Sequence, residues 1–477
     1  MWPFSTKKTI TVPLFLTNTL SGSKDQFLPF VAGRATLYSC GPTVYGPQHI
    51  GNLRAAVFAD TVARALKAAG YQLRRVINIT DVGHLVGDGD EGEDKMVVGA
   101  RAEKTTPKEI ANRYTTRYLD DIKALNLDLS DIHFPRATEY IPQQIEMIKA
   151  LEKKGLTYKT GDGIYFDTEL FPSYGKLGNQ KEVAQQAGTR VSTEGKKNPR
   201  DFALWRFAGS SDLQKWDSPW GEGNPGWSIE CSAMSRALLG ETIDVHTGGQ
   251  DHISVHHNNE IAQSEGASGK PFVRYWLHNA FLTIEGAKIS KSVGNVHTLS
   301  EVIERGFHPL ALRYFFLQAH YRTPLSFSWE ALKAAETGLE GLWKTTRDIK
   351  KKSRGKASSS PYAIELRSIF LDDLSTPQVL AALFKALGDD DLTIEQKWGL
   401  LTEADALLGL SLIEPPQDAH IGLHDLPEAV QSLYAERVEA KKQKDYARAD
   451  ELRIHIENSG YRVEDTASGP LFTRLER

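Results

Sequence analysis

Apolar residues along the chain fall into two spacings before the sequence turns uniformly helical. The run RATLYSC, 34–40, concentrates strand formers, and GNLRAAVFADTVARALKAAG, 51–70, sets Phe58, Val62, Leu66 and Ala69 on one helical face. LRRVINIT, 73–80, returns to a strand. Strand, helix, strand over this length is a βαβ unit with a right-handed crossover, which predicts a parallel sheet. Residues 136–240 lose the pattern and are rich in Gly, Pro and Trp, as an insertion would be; helix and strand patterns resume over 241–306. Helical spacing then dominates. TPQVLAALFKALGD and IEQKWGLLTEADALLGLSL are amphipathic, and 427–460 reads as a long, charged helical pair. KTTRDIKKKSRGKASSSP, 344–361, is basic, then Ser-rich, and reads as a surface linker.

The predicted class is therefore α/β: a Rossmann-like parallel-sheet domain (1–135 and 241–306) with an inserted region (136–240), then a helical region and linker (307–361), a helical bundle (362–424) and a small C-terminal tail domain (425–477). No internal repeat is visible. At 477 residues, more than one core is expected. Hydrophobic content of 40% with 25% charged residues is that of an ordinary globular protein. No run reaches the length of a membrane span, and the N-terminus lacks the continuous apolar stretch of a secretion signal. Two cysteines cannot form a disulfide framework, so a cytoplasmic protein is expected. The net charge of −4 supplies no global attraction for nucleic acid, which leaves any such partner to local patches.

Candidate chemistry gathers in three stretches. In LYSCGPTVYGPQHIGN the first strand ends at Cys40, passes a turn containing Gly41, and meets His49, Gly51 and Asn52 where the first helix begins. Ligands collect at the carboxyl ends of parallel strands, where a helix N-terminus offers unpaired N–H groups to a phosphate. GAKISKSVGN, 286–295, carries Lys288 and Lys291 among small residues, a cationic loop suited to a polyphosphate. GWSIECSAMS holds the second cysteine, Cys231, and HTGGQDHISVHHNNEIAQSE places His256 and Glu260 four apart on one helix face. Two thiolates, an imidazole and a carboxylate are a plausible zinc set; the alternative is two buried thiols and a helix-surface pair.

HIGN and KISKS, in this order and separation, resemble the paired signatures of class I aminoacyl-tRNA synthetases. NITDVGHL, DFALWR, SPWGEGNPGWSIECSAMS, LRYFFLQAHYRTPLSFS and ARADELR extend the resemblance to the cysteinyl-tRNA synthetase family along nearly the whole chain. The resemblance implies activation of L-cysteine by ATP with Mg²⁺ to a cysteinyl-adenylate, and transfer to tRNA(Cys) by a monomeric enzyme. It implies one zinc held by Cys40, Cys231, His256 and Glu260. It places Thr80, Trp227 and Asp251 around the amino acid and Gly41, His49, Gly51, Asn52 and Lys291 around ATP, with His49, Asn52, Lys288 and Lys291 as the catalytic candidates. It assigns stem contact to the helical region after the KISKS loop and anticodon reading to the C-terminal helices, where Arg437, Lys441, Lys442, Lys444 and Arg448 form a basic stripe interrupted by Glu439 and Asp445.

Zinc makes chemical sense of such a substrate, because an apolar pocket separates sulfur from oxygen poorly whereas zinc binds a thiolate directly. Two other readings stay open: a ligase that passes cysteine to a small amino sugar and needs no anticodon platform, and a catalytically silent RNA-binding relative that has lost its ATP or zinc residues. The sequence departs from the family pattern at Asn224 and Ser228, where Arg and His are usual (GRPGWHIEC), at Ala280, where Gly is usual, and in a long acidic stretch at 83–96. The first pair sits beside a proposed zinc ligand and is expected to alter either the hydrogen bonds around it or a contact with tRNA.

Overall fold

The computed structural model describes residues 12–82, 95–178, 195–209, 212–289, 295–416, 420–421, 423, 426–466 and 469–474. Its centre is the predicted parallel sheet. Strands β1 (Arg34–Ser39), β2 (Gln72–Ile77), β3 (Ile132–His133), β4 (Ile243–Gly249) and β5 (Val273–Asn279) stand in the order β5-β4-β1-β2-β3, and every neighbouring pair is parallel. The sequence order thus runs one way from β1 through β2 to β3 and the other way from β4 to β5. The reversal between β1 and β4 is the switch point at which such sheets open a ligand crevice.

Between β1 and β2 runs α1 (Ile50–Ala68), whose predicted stripe of Phe58, Val62 and Leu66 is buried, with Ala69 at its C-cap. Helix α2 (Pro107–Ala124) follows, closed at its start by a reciprocal cap between Thr106 and Glu109. Next come α3 (Ile141–Lys153), α4 (Trp227–Leu239) and α5 (His256–Ser268). The irregular region between α3 and α4 contains an antiparallel sheet of Thr157–Lys159, Gly163–Phe166, Phe202–Phe207 and Gly223–Pro225. Its aromatic residues Phe166, Phe202 and Trp205 pack with Met147, Ile148 and Leu151 of α3. Helix α4 joins both cores: Ile229 packs in that cluster, and Cys231 and Met234 pack with Tyr38, Val76, Ile261 and Trp276 of the sheet core.

Further along come α6 (Pro309–Leu317), α7 (Trp329–Ser353), α8 (Pro361–Leu371), α9 (Thr376–Leu387) and α10 (Ile394–Leu408). The linker expected at 344–361 is corrected here. Helix α7 continues to Ser353 and stops only where Arg354 turns left-handed at φ 53°. Basic residues in its last turn favour that helix end. The Ser-rich piece beyond it also packs: Ser358 N donates to Glu395 O, and Ser360 caps α8 with Pro361 at the first helical position.

The chain divides into two compact units, 1–299 with 309–413, and 300–308 with 414–477. The bundle helices α8 to α10 therefore belong to the same unit as the parallel sheet. One buried carboxylate explains much of that cohesion. Asp60 of α1 receives Arg64 Nε at 2.7 Å, Arg313 Nη2 of α6 at 2.8 Å and Arg75 Nη1 of β2 at 3.3 Å. The two outer arginines carry the contact onward. Arg313 donates to the carbonyls of Leu408 and Leu125, and Arg64 to those of Ala406 and Asn126.

In the second unit, α11 (Glu428–Lys442) and α12 (Tyr446–Asn458) confirm the charged helical pair. A sheet not anticipated from the sequence accompanies them, with Gly469–Arg474 between His420–Ile421 and Tyr461–Thr466. Val430, Ile456, Val463 and Phe472 form its core with Leu426. The basic stripe is largely compensated within this unit. Arg437 is buried and grips Asp465 through both terminal nitrogens at 2.9 and 2.8 Å, and Lys441 joins the same carboxylate. Arg448 meets Glu451 at 3.0 Å.

Asp60 gives a direct test. Removing one partner of a buried ion cluster leaves the others uncompensated, so Asp60→Ala should cost about 3–5 kcal/mol. Burial alone would raise this carboxyl, but Arg64, Arg313 and Arg75 hold it well below the ordinary range. A depressed folded pKa gives stability that is present above the unfolded value of about 3.9 and is lost as pH falls below it. The difference in unfolding midpoint between parent and Asp60→Ala should therefore be full at neutral pH and shrink in acid.

Candidate metal centre and nucleotide cleft

The centre forms where β1 and β4 leave the sheet. Cys40 follows the last residue of β1, its N–H still bonded to Thr247 O on β4 at 3.2 Å. The chain then turns so tightly against the end of β2 that a Cβ on Gly41 would lie 1.6 Å from the Asn78 carbonyl oxygen. Only glycine permits that approach. Asn78 secures both sides of the turn: its Oδ1 accepts from Gly41 N at 2.9 Å and its Nδ2 donates to Thr80 Oγ1 at 3.0 Å. Thr80 is buried there, with its N–H on Pro42 O and its carbonyl accepting from Val44.

Cys40, Cys231 on α4, and His256 and Glu260 on α5 bring their ligand atoms within 4.8 Å of one another. The i, i+4 spacing on α5 sets His256 Nε2 3.1 Å from Glu260 Oε1. Both groups are buried and each changes the other. Burial opposes charge on His256, but Glu260 and Cys231 outweigh it and raise the imidazole to about 10. Burial would raise Glu260, yet His246 and His256 bring it down to about 2. Of the two thiols, Cys231 ionises first, drawn to about 7 by a hydrogen bond from Cys40. Cys40 itself is pushed up by burial and by Cys231.

Sequence reasoning missed much of what surrounds this set. His246 on β4 is fully buried, stacks on Trp276 at 4.6 Å, and meets Glu260 Oε2 at 3.0 Å. His257 reaches Cys40 Sγ at 3.4 Å with Nε2 and His278 at 2.8 Å with Nδ1. Cys40, His246, His257 and Glu260 form a second set with ligand atoms equally close. Their signal was a polar residue inside buried β4 and a double histidine at the start of α5, which helical spacing alone assigns only in part. Tyr38 was also unforeseen. Its buried hydroxyl lies against Cys231 without a hydrogen bond of ordinary geometry among the described residues, and a thiolate there would give that donor its acceptor. The donor types and this waiting hydroxyl fit a soft divalent metal such as zinc.

Trp227 begins α4 and stacks on the His256 ring at 4.6 Å. Asp251 lies exposed just beyond β4. His49 is the N-cap of α1, its Nδ1 accepting from Asn52 N at 3.2 Å, and a Cβ on Gly51 would come within 2.9 Å of that ring. Asn52 spends one amide hydrogen on Gln48 Oε1 at 2.7 Å, so it braces the turn as well as facing solvent. Lys288 sits on the short strand Ala287–Lys288, which folds back on Leu282–Ile284. Lys291 and the acidic stretch 83–94 lie outside the described residues.

A family model described as the class I (C) tRNA synthetase catalytic domain matches residues 26–337. Cysteine–tRNA ligase of Treponema denticola is 41% identical, with 97% of this chain and 100% of the relative covered. That of Burkholderia lata is 44% identical, with 96% of each covered. The chain belongs to the cysteine–tRNA ligase family. Its fold is also that of a Mycobacterium tuberculosis methionyl-tRNA synthetase structure bound by methionyl-adenylate, with a TM-score of 0.56, 14% identity, and 81% of this chain and 92% of that one covered. In this member of the cysteine–tRNA ligase family the turn after β1 leaves no room for a Cβ at Gly41. Gly41→Ala should force β1 away from β2 and lower the unfolding temperature, at a cost of about 1–3 kcal/mol or more. An unfolding temperature equal to the parent's would show that the turn relaxes freely.

Proposed function

We propose that this chain activates L-cysteine with ATP and transfers it to tRNA(Cys), as a monomeric cytoplasmic enzyme using one zinc ion. The observation that carries the reading is the meeting of the chain's two cysteines with His256 and Glu260 in the crevice of a cysteine–tRNA ligase fold. Cys40, Cys231, His256 and Glu260 would hold the metal, which when bound supplies a soft Lewis acid for the substrate thiolate. Asp251 would pair with the substrate ammonium, and Trp227 with Thr80 would wall the small side chain. His49, Gly41, Gly51 and Asn52 would cradle ATP at the start of α1, while Lys288 and Lys291 would neutralise its phosphates.

The substrate carboxylate then attacks the α-phosphorus; one P–O bond forms and the bond to pyrophosphate breaks. The terminal ribose of the tRNA displaces AMP from the cysteinyl group. Such chemistry needs alignment and charge neutralisation more than a protein nucleophile. Mg²⁺ would accompany the nucleotide. Retention of the zinc set and of the HIGN motif speaks against a silent relative, and the second unit speaks against a small amino-sugar acceptor.

ATP–pyrophosphate exchange with cysteine, serine and alanine, followed by charging of total tRNA, tests the reading. Exchange should depend on cysteine, and the protein should contain about one zinc per chain. Cys231→Ser should lose both metal and exchange; full exchange without metal would sink the zinc assignment. Lys291→Ala should slow adenylate formation far more than it weakens cysteine binding, because its charge matters as phosphate charge develops. Pre-steady-state rates equal to the parent's would remove Lys291 from the mechanism.

A further inference from the structure

A histidine that offers Nε2 to a metal must, when neutral, keep its one proton on Nδ1. His256 directs Nε2 to the ligand cluster and Nδ1 away from it, toward Ser228 Oγ at 3.1 Å. Both side chains are buried, so water does not readily take the place of that acceptor. Ser228 is itself held. Tyr174 Oη donates to Asn259 Oδ1 at 2.7 Å, which turns the amide so that Asn259 Nδ2 faces Ser228 Oγ at 3.4 Å. Tyr174, Asn259 and Ser228 are all buried, so the chain of bonds runs without solvent from the inserted region to the ring of His256.

We propose that Ser228 is a positioning residue for the metal: its hydroxyl fixes the ring of His256 and keeps the proton on Nδ1, so that Nε2 is presented to zinc. This rests on the zinc reading above. The hydroxyl accepts from the imidazole on one side and from Asn259 on the other, and its two lone pairs suffice for both.

Threonine and valine at this position share a shape and differ by the hydroxyl. Ser228→Val should weaken zinc binding by about 10–100-fold, read by competition with a chromogenic chelator, and should shift the visible bands of the Co²⁺-loaded protein. Ser228→Thr should restore both toward the parent. Ser228→Ala serves with the same expectation should the extra methyl not be accommodated, and melting in excess chelator reads the metal-free fold separately. Parent-like affinity and Co²⁺ spectrum in both hydroxyl-free variants would overturn the proposal while leaving the zinc reading intact. A parent that binds no zinc would overturn both.

Discussion

Strands β1 and β4 lie side by side and parallel, yet the chain leaves them for opposite flanks of the sheet, and the functional groups depend on the gap this opens. Cys40 stands at one lip; Gly249 and Asp251 lie at the other. Helix α1 starts from the first lip and α5 follows the second, so short connections set the HIGN residues and the His256–Glu260 pair at the carboxyl end of the sheet. Gly41 is the cost of that arrangement, because the turn from β1 must pass nearly through the space a side chain would need.

Charge buried in the sheet's surroundings is handled in two ways. Asp60 is surrounded by arginines that continue to backbone carbonyls on α10 and at the end of α2, so a charged group joins elements far apart in sequence. Arg54 spends its guanidinium on carbonyls directly, donating to those of Ala280, Phe281 and Thr323. It thereby ties α1 to the strand that leads into the KISKS loop. Glu260 is different: its neighbours are histidines and thiols, groups that lose protons when they bind a metal, and the cluster lies where α4 and α5 meet the end of β1. Burial with arginine marks structure here, and burial with histidine and cysteine marks chemistry.

The parallel sheet and α1 were legible because period-two and 3.6-residue spacings are local, and Phe58, Val62 and Leu66 report one face unambiguously. The position of the two cysteines was legible only through motifs, since nothing local brings Cys231 to Cys40. Helical spacing identified His256 with Glu260 but was silent on His246, whose role comes from the pairing of β4 with β1. The supposed linker failed for a plain reason: Lys350, Lys351 and Lys352 are good helix formers at a helix C-terminus, and composition alone cannot distinguish that from a solvated tether. The C-terminal sheet escaped because its strands are short and their buried residues, Val463 and Phe472, share a core with Val430 of α11 and Ile456 of α12.

The departure at Ser228 also bears on charge balance around the proposed metal. Two thiolates and one carboxylate already exceed the charge of a divalent ion, and the substrate would bring a further thiolate. A carboxylate as the acceptor beyond His256 would add to that excess inside a desolvated site, where like charges are costly. A hydroxyl accepts the same proton while adding no charge. His246, positioned to donate to the far oxygen of Glu260, eases the excess from the other side. The network around the cluster thus supplies acceptors where the imidazole needs one and donors where the carboxylate needs one, leaving the charge to be set by the ligands themselves.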